Sequence, residues 1–227
     1  MWLSVAATNN DPLVIANYFL NTVTKHKIAP KILRMDLGTE NIYCQDLQEF
    51  FTKIHKSYRY GASTRNQRIE ALWSRLKKVL ISWWIEFFKN MERCGLYKAE
   101  LETHIEVLLF VFLPIIQREL NEIMITWNQH YVRQSATAPG GKPDVLFCAP
   151  ETVNFQNQGI LVSEDDLAIA KDVVGFEKIP IWKNKLLHEL LECYCHIHNI
   201  ELPNSTDDGL DVYVKLLTYL ETDRFEV

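Results

Sequence analysis

Over the first hundred residues, short apolar runs alternate with stretches whose apolar residues recur every three or four positions. That alternation restricts the chain to folds that lay helices on a sheet, an α/β class. Trp2-Leu3-Ser4-Val5-Ala6 reads as a strand. Asn10-Asp11-Pro12 opens a helix, with Asp11 as N-cap and Pro12 at the first helical position. Leu13, Ala16, Asn17, Leu20 and Val23 follow at helical spacing. A second strand, Lys31 to Asp36, is preceded by Pro30 and ended by Gly38. Asn41 to His55 predicts a helix with Leu47, Phe50, Phe51 and Ile54 on one face. Tyr58-Arg59-Tyr60 is extended and stops at Gly61. Ser63-Thr64 can cap a long helix from Arg65 to Met91, which Cys94-Gly95 terminates. A further helix from Leu101 to Tyr131 contains Pro114, which predicts a kink.

The best boundary is the loop Ala136-Thr137-Ala138-Pro139-Gly140-Gly141-Lys142-Pro143. It divides the chain into a domain at 1–135, a linker at 136–150 and a helical segment at 151–227. Past the loop, Val145-Leu146-Phe147 reads as extended and Ser163 caps a short helix. Two more helices are expected, from Ile181 to His198 and from Gly209 to Leu220.

Net charge is −5, unusual for a nucleic-acid binder, but the charge is unevenly spread. Residues 53–93 carry ten Lys/Arg against three Glu, whereas residues 151–227 carry six basic and fifteen acidic residues. The pattern suits a basic working surface followed by an acidic segment with another task. Five irregularly spaced cysteines argue against a disulfide framework and for a reducing compartment. Cys193, Cys195, His196 and His198 imitate a zinc cluster. On a helix, however, the two thiols would point about 200° apart, and no second ligand pair is near. The longest apolar run, Val107 to Ile116, is about half a membrane span and reads as a buried helix. No signal peptide, membrane span or small-molecule cofactor motif is expected.

The chemistry-bearing feature is Asp36 at the end of a strand, followed by Gly38-Thr39-Glu40-Asn41. Side chains at such strand ends clear the sheet and can line a ligand site. The second feature is Tyr60-Gly61-Ala62-Ser63-Thr64-Arg65-Asn66-Gln67-Arg68-Ile69-Glu70, leading to Lys77. A helix beginning beside the strand end can bring Glu70 toward Asp36. Two carboxylates so placed suit hard divalent cations, which take oxygen ligands and leave positions for phosphates.

These blocks, with 33 residues between Asp36 and Glu70, resemble the retroviral-type integrase catalytic core. Its superfamily carries a DDE metal site on a ribonuclease-H-like fold. Closest in resemblance are integrase cores of animal genomes derived from transposable elements. Further matching blocks are Thr8-Asn9-Asn10-Asp11-Pro12, Ser82-Trp83-Trp84-Ile85, Trp127-Asn128-Gln129-His130 and Gly141-Lys142-Pro143-Asp144-Val145-Leu146. The resemblance implies metal-dependent strand transfer on DNA in the nucleus, with Asp36 and Glu70 as catalytic metal ligands for Mg2+ or Mn2+. It also implies a first aspartate on an earlier strand, and no residue here aligns with it. The expectation is therefore a ribonuclease-H-like core lacking its first strand, with long helices and a helical C-terminal extension. Metal binding should be weak and strand transfer slight in the chain as it stands, a gene model that reads as truncated. The alternative is a domesticated, non-catalytic DNA- or protein-binding domain.

Among single residues, Arg65, Asn66, Gln67, Arg68, Ser74, Lys77 and Lys78 are the candidates for nucleic-acid contact. Ser74 and Lys77 share a helix face with Glu70. Glu40 reads as a helix-start acid and Asp11 as a cap rather than a ligand. His130 and Arg133 read equally as surface residues. Trp73, Leu76, Leu80, Trp83, Trp84 and Phe87 have the spacing of a packed face, in the core or in a homo-oligomer interface.

Overall fold

The computed structural model describes residues 3–61, 67–134, 139–175 and 182–222. The chain divides into two compact units. The first comprises residues 1–4, 8–67 and 121–179, and the second residues 5–7, 68–120 and 180–227.

In the first unit, helix α1 (Pro12–His26) starts as expected. Asp11 is extended and its Oδ1 accepts from Leu13 N–H at 2.8 Å. The inward stripe Ala16, Leu20 and Val23 packs on Leu47 and Phe51 of helix α2 (Ile42–Thr52), which a 3-10 turn at Thr39–Asn41 precedes. Two small sheets flank them. Strand β1 (Ile28–Pro30) pairs antiparallel with β4 (Gly159–Leu161), placing Ala29 opposite Ile160. Strand β2 (Leu33–Met35) pairs in parallel with β3 (Tyr58–Tyr60), placing Arg34 opposite Arg59. Buried Gln48 holds the bend between β1 and β2 by donating from Nε2 to Pro30 O at 2.6 Å. Helix α7 (Glu164–Val174), capped by Ser163 Oγ, adds Leu167 and Ala170 to the same core. Lys27 and Lys53 pair with Glu164 and Asp166 and tether its first turn.

Two expectations need correction. Leu3 to Ala6 form no strand: Val5 N–H goes to the Gln117 side chain at 2.9 Å rather than to a ladder. Trp2 lies outside the described residues. Val145-Leu146-Phe147 is helical, inside α6 (Pro143–Cys148). Pro143 sets φ for the first helical position and Asp144 suits the dipole there, which outweighs the β-propensity of three apolar residues.

The second unit is helical. Helix α3 (Gln67–Leu76) continues through a π turn (Lys77–Ile81) into α4 (Ser82–Arg93). The long helix expected here exists, though its proposed cap, Ser63-Thr64, lies outside the described residues. Gly95 stops it with φ +72°. Leu72, Leu76, Leu80 and Trp84 are all buried at a constant spacing of four. In an unbroken α-helix that spacing drifts by about 40° per step, so Trp84 would sit about 120° away from Leu72. The π turn absorbs about one extra residue and returns Trp84 to the seam. Trp73 and Trp83, each 48% exposed, lie outside this unit's core.

Helix α5 (Glu102–Gln129), α8 (Lys185–Ile197) and α9 (Thr206–Thr222) supply the rest. Residues 102–120 of α5 belong to this unit. Trp84 Nε1 donates to Glu119 Oε2 at 2.6 Å. Gly209 opens the way for α9, since a β-carbon there would lie 2.9 Å from the Phe112 ring. Glu106, fully buried, accepts at Oε2 from the Lys183 and Asn184 backbone N–H groups, both at 3.0 Å, just before α8. Its Oε1 faces His188 Nδ1 at 3.6 Å. Among the described residues no helix is long and apolar enough to cross a membrane. Predominantly helical, with two small sheets, the architecture is consistent with an α/β integrase core.

Candidate metal ligands and nucleic-acid face

Asp36 follows the last residue of β2 and is exposed. Parallel strands present their C-terminal ends together, so the chain leaves β3 through Gly61 at the same end. Gly61 N–H closes that end by donating to Met35 O at 3.1 Å. A β-carbon at Gly61 would lie 2.5 Å from Arg34 Nε and would displace that guanidinium. Asn41 Nδ2 donates to Asp36 O at 3.1 Å, which fixes the turn by its backbone and leaves the Asp36 carboxylate without an ion pair among the described residues. Glu40, in the 3-10 turn, folds its carboxylate back over Gly38, so it acts as a local turn residue.

Glu70 lies in the first turn of α3 and is exposed, again without an ion pair among the described residues. Asp36 belongs to the first unit and Glu70 to the second. Both are hard oxygen donors, the chemistry that Mg2+ or Mn2+ takes, and among the described residues no cation pairs with either. Ser74, Lys77 and Lys78 are exposed. Gln67 and Arg68 begin α3, whereas Arg65 and Asn66 lie outside the described residues. His130 Nδ1 lies 2.5 Å from Trp127 O, so it ends its own helix, and Arg133 is exposed. Cys193 is exposed and Cys195 half-buried on α8.

One feature escaped the sequence reading. An open cleft of about 1090 Å³ in the first unit is lined by Tyr18, Phe19, Leu33, Met35, Phe147 and Phe155 among others. Among the described residues its lining includes no Asp, Glu, Lys or Arg. Burial pushes the Tyr18 hydroxyl up to about 12, and the Cys44 thiol likewise to about 12, so both keep their protons. These residues come from five separated stretches, and no local motif signals their convergence.

No curated protein and no solved structure matches the sequence. Residues 1–156 match the integrase core domain, well over half of the 227 residues and including both Asp36 and Glu70. The chain belongs to the integrase core domain family.

Proposed function

We propose that this protein binds DNA as an integrase core whose lineage performs metal-dependent strand transfer in DNA integration, with Asp36 and Glu70 as ligands that hold Mg2+ or Mn2+ weakly and support little strand transfer by themselves. The reading rests above all on the integrase core match over residues 1–156. Bound divalent cations supply two things in such chemistry: activation of the attacking water or 3′-hydroxyl and stabilisation of the leaving oxygen. Asp36 and Glu70 contribute anionic oxygens that hold such cations against a phosphate. Lys77 and Lys78, with Arg65, Asn66, Gln67, Arg68 and Ser74, hold the DNA backbone, and phosphate neutralisation there is read out as salt dependence. On this reading the protein works in the nucleus, in a lineage of transposon-derived integrase cores.

The test is manganese titration of DNA binding in the parent, Asp36→Asn and Glu70→Gln proteins. Metal should tighten binding by the parent measurably, and each substitution should abolish most of that gain. Unchanged far-UV circular dichroism checks that the variants fold. Equal metal responses in all three proteins would reject the metal site and identify a non-catalytic DNA-binding domain.

A further inference from the structure

The helix that carries Glu70 does not end its basic face at Lys78. Lys89 is nineteen residues beyond Glu70, and in an unbroken α-helix it would point about 100° away. The π turn at Lys77–Ile81 takes up about one of those residues. The remaining eighteen make about five full turns of 3.6, so Lys89 stands in line with Glu70. By the same count Lys77 lies about two turns from Glu70 and Ser82 about three, with Lys78 within about 80° of that line. All of these residues are exposed, and the buried seam of Leu72, Leu76, Leu80 and Trp84 faces the other way. Lys77, Lys78 and Lys89 have no acidic partner within 4 Å among the described residues. Arg93 is different, for its guanidinium is spent on Glu86 at 2.8 Å and Asn90 at 2.7 Å. Arg75 lies about 140° from Glu70 and is off the face.

We propose that DNA lies lengthwise on this helix, with Lys89 as a second phosphate anchor beyond Lys77 and Lys78. This rests on the DNA-binding reading above. Glu70 and Lys89 are about 27 Å apart along the axis at 1.5 Å per residue. Duplex DNA rises about 3.4 Å per base pair, so the helix spans about eight base pairs. The ligand is therefore an extended duplex rather than a strand end alone.

The test measures binding of the full chain to a duplex of about 20 base pairs across a salt series. Lys78→Ala and Lys89→Ala should each make the log–log salt slope shallower by about 0.9, the value of one lost phosphate contact. Arg75→Ala should leave it unchanged. All three positions are exposed, and a melting curve for each variant confirms folding. Binding by the parent with no effect of Lys89→Ala overturns the anchor but leaves the DNA-binding reading standing. An equal effect of Arg75→Ala also overturns it, because general charge would then suffice. No binding by the parent overturns the proposed function itself.

Discussion

Asp36 and Glu70 are alike in one respect: each is exposed and its carboxylate has no ion pair among the described residues. His104 shows the opposite, a titratable group consumed by the core. It is buried, with Nδ1 2.9 Å from the Tyr213 hydroxyl, which reaches Leu96 O at 3.3 Å. Burial first, and then Lys98, hold the imidazole below its ordinary 6.5. The unfolded chain therefore takes up this proton at a higher pH than the folded one does. Between those two values the unfolded state binds more protons, so folding stability falls as pH drops below 6.5. Comparing melting temperatures at about pH 7 and about pH 5.5 should show a smaller acid loss for His104→Gln than for the parent. An equal loss in both would show that His104 does not drive it.

At the scale of elements, the π turn sets what the long helix can tolerate. Val79, 60% exposed within it, can be deleted: the turn then closes as ordinary α-helix, and Leu72 and Trp84 stay about three turns apart. Urea denaturation should show a loss of about 1 kcal/mol or less for that deletion. Inserting one alanine there should instead swing Trp84 and Met91 out of the core and cost more than about 3 kcal/mol. Such a device is hard to read from sequence, because a spacing of four also suits a plain helix. What was legible had a local cause: the Asp11-Pro12 start of α1, the Ser163 cap of α7 and the glycine stop after α4 each rest on residues adjacent in the chain. What was missed had a distant or competing one. Val5 gives its N–H to Gln117, far along the chain, and Pro143 overrides three apolar residues. At the candidate site, Asp36 after a strand and Glu70 in a first turn were both legible from flanking glycines and helix periodicity. Lys89 was not, because its alignment with Glu70 depends on the π turn.

For the molecule as a whole, the family match ends at residue 156, yet the first unit's core continues past it. Val162, Leu167 and Ala170 are buried against Ala16, Leu20, Val23, Leu47 and Phe51. Leu167→Ala should therefore cost about 2–5 kcal/mol in denaturant unfolding, as a cavity in a shared core does. A loss under about 1 kcal/mol would mean that α7 only decorates a self-sufficient fold. The second unit is held differently at one point. A ring contact such as Phe110 against His188 would survive a small slide of α8 along α5. Glu106 would not, because its two backbone donors sit only where Lys183 and Asn184 now stand. A single buried glutamate thus works as a locating pin: of the ways these greasy cylinders can nest, it singles out one alignment that shape by itself would leave undecided.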